Sequence, residues 1–114
     1  MSEIEHLVVL VTAGSEEEAL KIARGLVKSM LAACVNIVPG ITSIYRWQDE
    51  VQEDHEWLLV VKTRWDVLDE VIQQVQALHS YDVPEVIALP LVGGSQDYLH
   101  WLDRGVERGW HGLD

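Results

Sequence analysis

Two short runs rich in β-branched and aromatic residues, Ala33 to Val38 and Ile41 to Trp47, are separated only by Pro39-Gly40. Each run reads as a strand. Proline has no N–H to give to a ladder, so a strand with Pro39 in its middle must bulge or lie at a sheet edge. One long, bent edge strand is expected here, and the rest of the chain must supply its partners.

The run Leu7 to Val11 is apolar without interruption, as in a central strand covered on both faces. Ser15 followed by Glu18 forms a capping box, with Glu16 and Glu17 at the positive end of the helix dipole. A helix then follows from the stripe Ala19, Ile22, Ala23, Leu26, Val27 and Met30, opposite Glu17, Lys21, Arg24 and Lys28. After the polar turn Gln48-Asp49-Glu50, a strand begins at Val51. It sets Val51, His55 and Trp57 against Gln52, Asp54 and Glu56, and is apolar on both faces from Leu58 to Val61. Thr63 with Asp66 reads as a second capping box, opening a helix built on Val67, Leu68, Val71, Ile72, Val75 and Leu78. His79 falls in the last turn, where the dipole favours a protonated ring. Ser80 to Pro84 connects to a fourth strand, Val86 to Val92, whose Pro90 places it at the other edge. Gly93-Gly94-Ser95 turns into a short helix around Tyr98, Leu99 and Leu102 that ends near Gly105, and 106–114 shows no clear period.

The order strand, helix, strand, strand, helix, strand defines an α+β, ferredoxin-like sandwich with an antiparallel four-stranded sheet and a short C-terminal helix. Two helices cover one sheet face. The central strands are apolar on both faces, so the second face needs a cover larger than the third helix, and another subunit is the simplest one.

The 114 residues fit a single domain with its core in 7–102, and the 48% hydrophobic content suffices for one modest core. Nineteen acidic against eight basic side chains give a net charge of -11, which disfavours nucleic acid and anionic membranes as partners. One cysteine forms no internal disulfide and no zinc-type pair. The acidic start and the five-residue apolar run lack the signature of a signal peptide or a membrane span, so a cytoplasmic setting is expected.

The run L-A-A-C-V-N-I-V-P-G-I-T-S-I-Y-R-W, followed by V-V-K-T-R, H-S-Y-D-V-P-E-V-I-A-L-P and D-Y-L-H-W-L, resembles the CutA family of divalent cation tolerance proteins over roughly 7–102. The resemblance implies a ferredoxin-like subunit, a homotrimer shaped like the PII signalling proteins, and a link to copper tolerance. Family members usually carry proline after the histidine matching His79, where this chain has Ser80. Metal-binding members offer a cysteine late in the first strand and a second histidine just before the one matching His79; here those positions are Val11 and Leu78. Copper or another divalent cation is thus expected to bind only weakly, through His79 and Cys34, and no cofactor is required.

Cys34 sits in an apolar run, where a lone cysteine is more often packing than chemistry. His55 reads as a solvated hairpin residue, His100 with Asp103 as a surface pair, Gly93-Gly94-Ser95 as a plain turn, and Trp47 and Trp57 as interface packing. No catalytic arrangement stands out from spacing, and a non-enzymatic role is expected. The topology brings Thr12, His79, Tyr81 and Glu85 to one rim of the sheet, over which a neighbouring subunit's hairpin would lay Trp47 or Asp49. Lys62 belongs to the opposite end. This rim is the expected ligand cleft of a trimeric sensor that binds a metal ion or small molecule and signals to a protein partner. Direct copper sequestration and a structural trimer anchoring another protein are the competing readings.

Overall fold

The structure is a computed structural model and describes residues 5–107. Strand β1 (His6–Ala13) leads into helix α1 (Glu16–Lys28), and a hairpin follows from β2 (Cys34–Trp47) and β3 (Glu50–Arg64). A single 3-10 turn (Trp65–Val67) opens α2 (Leu68–Leu78), which is followed by β4 (Val86–Pro90) and α3 (Gln96–Gly105). The four strands form one sheet in the order β2-β3-β1-β4, all neighbours antiparallel. Both proline-bearing strands are therefore edges, for the reason their missing N–H groups dictate. In β2 the register steps from Val38 opposite Leu58 to Ile41 opposite Glu56, one extra residue on the β2 side. Gly40, at a φ of 71°, takes up the left-handed bend of this bulge.

Alternation along the central strands sorts the two faces. Leu7, Val9, Val11 and Ala13 of β1, with Leu59 and Val61 of β3, are buried under Ala19, Ile22 and Leu26 of α1 and Val71 and Val75 of α2. Each fully buried Leu or Val here contributes about 1.5–3 kcal/mol. The opposite face carries Val8, Leu10, Val38, Leu58, Val60, Ile87 and Leu89, placed together by register. It is left open: Ile87 and Leu89 are 52% and 49% exposed. α3 buries Leu102 in the core, and its Asp103 accepts a hydrogen bond from His6 Nε2 at 2.9 Å, with Arg64 alongside. It does not cover the rest of the open face.

Several local expectations change. Ser15 caps α1 by accepting from the Glu18 amide, but the Glu18 carboxylate turns away to accept from the Ser80 amide at 2.9 Å. Thr63 caps nothing: β3 runs on to Arg64, and the wholly buried Thr63 hydroxyl donates to the Leu31 carbonyl at 2.6 Å. Asp66 pairs instead with Arg64, and α2 begins from the 3-10 turn without a side-chain cap. β4 stops at Pro90, two residues short of the expected Val92, because its partner β1 begins at His6, whose carbonyl accepts the last bond, from the Leu91 amide. In the tail, Val106 is buried and the Glu107 amide donates to Met30; the remainder of 106–114 lies outside the described residues.

Candidate functional site

At the end of the sheet where β1 gives way to α1, three segments meet. The α2 helix ends on His79, which is its C-cap in extended backbone rather than a residue of the last turn. Its side chain is buried, and the two ring nitrogens are both engaged. Nε2 donates to the Thr12 carbonyl at 2.7 Å, and Nδ1 accepts from the Tyr81 amide at 3.1 Å. This donor and acceptor pair is the pattern of a neutral ring with its hydrogen on Nε2. The expectation of a dipole-favoured charged ring is corrected accordingly: the chain turns out of the helix at this residue, so the ring points into the sheet end and not along the helix axis.

Tyr81 continues the chain of contacts. Its ring lies 4.6 Å from that of His79 at an angle of 48°, and its hydroxyl donates to Glu56 Oε2 at 2.9 Å. Glu56, from the hairpin strand β3, is only 7% exposed. Burial, the bond to Glu56, and the charges of Glu56, Asp54 and Glu18 together push the Tyr81 phenol up to about 12, so it remains a donor across the neutral range. Glu18 closes the far side, with Oε1 3.5 Å from His79 Nδ1. The result is a polar relay from Thr12 through His79 and Tyr81 to Glu56, framed by carboxylates.

The expected rim residues divide into two groups. Thr12, His79 and Tyr81 come together, Thr12 through its backbone. Glu85 is exposed and makes no side-chain hydrogen bond among the described residues. Trp47 and Asp49 sit at the hairpin tip, where Trp47 is 58% exposed. Glu56 lies six positions along β3 from Glu50, the partner of Trp47, so the tip lies roughly 20 Å beyond the rim of its own chain. Cys34 is half-buried on the open face beside Lys62, not packed in the core as expected, because the parity of β2 directs it away from the helices. It lies opposite Lys62 while Thr12 lies opposite Leu58, about 13 Å along the sheet, so Cys34 and His79 do not converge on one ion. No group of three or more His, Cys, Asp or Glu side chains able to hold a metal occurs among the described residues. Lys62 lies at the far end, as expected. Glu56 and Glu18 were not legible as site residues; the only signal was that Glu56 shares a strand face with the apolar Leu58.

A four-stranded antiparallel sheet with two helices on one face, a third at its end and a polar relay at the opposite end defines a small α+β domain of the split βαβ class. Residues 7–105 match the family model described as CutA1 divalent ion tolerance protein, and the chain belongs to that family. The divalent-cation tolerance protein CutA of Thermus thermophilus is 58% identical over 95 residues, 83% of this chain and 92% of that protein. The chloroplastic CutA of Arabidopsis thaliana is 52% identical over 99 residues, 87% of this chain but 54% of that longer protein. The crystal structure of CutA1 from Oryza sativa gives a TM-score of 0.90 at 47% identity, covering 93% of this chain and 97% of that one. The structure from Archaeoglobus fulgidus, described as a periplasmic divalent cation tolerance protein, gives 0.87 at 41% identity and covers 90% and 99%. No helix among the described residues is long and apolar enough to cross a membrane.

Proposed function

We propose that this chain acts as a homotrimeric divalent-cation tolerance protein of PII-like shape. In this reading the rim of Thr12, His79, Tyr81 and Glu56 binds a small ligand or metal ion, and the liganded state is passed to a protein partner during the response to divalent metals such as copper. The observation that carries it is the combination of an open apolar sheet face with a hairpin that overshoots its own rim by roughly 20 Å. A hairpin of that reach, tipped by Trp47, has a use where a neighbour lies against the open face, and it would then bring Trp47 or Asp49 over the neighbour's rim. Two free sheet edges, β2 and β4, supply the complementary backbone groups with which three copies could close a ring.

Light scattering coupled to size exclusion tests the assembly and should give three times the 12.9 kDa chain mass. His79→Ala and Tyr81→Phe should alter ligand or partner binding with the trimer intact; loss of the trimer in both, without a separable binding defect, would reduce the rim to a structural role. Direct copper sequestration is the weaker reading, since Val11 and Leu78 stand where soft ligands would be needed and Cys34 faces away from His79. Calorimetry with copper should accordingly show no nanomolar step.

A further inference from the structure

Glu56 is nine-tenths buried, yet the single hydrogen bond of its carboxylate among the described residues is the one that Oε2 accepts from Tyr81. No enclosed side-chain oxygen or nitrogen among the described residues lacks a partner, so Oε1 must reach the rim surface. None of the salt bridges among the described residues involves Glu56. Oε1 is thus the carboxylate oxygen that faces the rim, and Asp54 and Glu18, whose charges also act on the Tyr81 phenol, make that rim acidic. A rim of this charge, with one carboxylate oxygen presented at its surface, favours a positive group at Oε1.

A divalent ion does not fit this rim well. It needs several hard ligands around it, the described residues bring no such set together, and both nitrogens of His79 are already committed. A nitrogen cation needs only one carboxylate oxygen and an aromatic face, and Tyr81, 38% exposed beside the His79 ring, supplies the face.

We propose that Glu56 Oε1 is the anchor for an ammonium or guanidinium group bearing N–H donors, brought either by a free amine or by a cationic side chain of a second copy. The proposal rests on the rim reading and narrows its ligand. The probe is ethylammonium chloride, titrated into the isotopically labelled full chain while the amides of Gly14, Ser80 and Tyr81 are followed by NMR. Tetramethylammonium, which has the charge but no N–H, and sodium serve at equal ionic strength. Saturable shifts with ethylammonium alone are expected. Glu56→Gln should weaken them at least about tenfold, and Asp54→Asn, which changes a neighbouring charge only, by much less.

If the wild type is silent, the same titration on Arg46→Gln, which removes the exposed cation beside the hairpin tip, decides the source. A response appearing there assigns the cation to the neighbouring copy. Silence in both, equal shifts with tetramethylammonium, or equal losses in Glu56→Gln and Asp54→Asn would overturn the proposal. Magnesium chloride separates the two readings: rim amides that follow magnesium but not ethylammonium leave the rim a ligand site and remove only the amine, whereas amides that follow neither count against both.

Discussion

Gly14 and the Tyr81 hydroxyl occupy adjoining space so closely that a Cβ on residue 14 would lie 2.8 Å from the phenol oxygen. The glycine is thus a spacing device, letting the connector after α2 press against the end of β1 with Tyr81 Oη still in reach of Glu56. Gly14→Ala should displace the ring and destabilise by about 1–3 kcal/mol in urea unfolding. In a Tyr81→Phe background the same substitution should cost clearly less, because the obstructing oxygen is gone. Equal costs in the two backgrounds would show that the clash is relieved elsewhere.

Thr63 is wholly buried and its hydroxyl is bonded to the Leu31 carbonyl. Thr63→Val keeps the shape and strands that carbonyl, so a loss of about 1–3 kcal/mol is expected from the urea midpoint. A neutral result would mean that Leu31 finds another donor.

The hairpin turn places both Gln48 and Asp49 at positive φ, 49° and 66°. That geometry suits Asn-Gly, whereas these side chains tolerate it at a cost. The double replacement Gln48→Asn, Asp49→Gly should raise stability by roughly 1 kcal/mol. A fall in thermal midpoint would instead reveal contacts made by the native side chains.

Tyr81 has its folded pKa raised to about 12, above the ordinary value of 10.0, with burial as the largest cause and Glu56 next. The folded chain therefore holds its proton where the unfolded chain releases one. This contribution to stability is fully present below pH 10 and is lost as pH rises towards 12. Site-resolved NMR of tyrosine labelled at the ring should place Tyr81 well above free tyrosine, and Glu56→Gln should bring it down. An unchanged value in that variant would remove Glu56 as a cause.

Much of this fold could be read from side-chain period and backbone chemistry. Pro39 and Pro90 located both edges because an absent N–H acts wherever it is placed, and Ser15 located the start of α1 by a bond made within four residues. What escaped was long-range. Thr63 followed by Asp66 has the spacing of a cap, but Leu31 offered its hydroxyl a partner 32 positions away. Glu56 looked like any polar residue of an alternating strand until the connector laid Tyr81 across it. Cys34 followed the parity of its strand, and which face that parity selects depends on where the helices pack.

The extra residue at Pro39–Gly40 also sets which side chains the outer hairpin shows on each face. If the same chain paired without a bulge, Tyr45 would fall opposite Val51 and present its phenol on the same side as His55; with it, Tyr45 sits opposite Gln52 and bonds Asp54. Deleting Gly40 would leave Pro39 alone opposite Trp57 and Tyr45 still opposite Gln52, so the bend would go while both faces kept their side chains. Over evolutionary time, a single deletion should therefore be tolerated at this bulge more readily than elsewhere in β2, where it would exchange the faces of the residues beyond it.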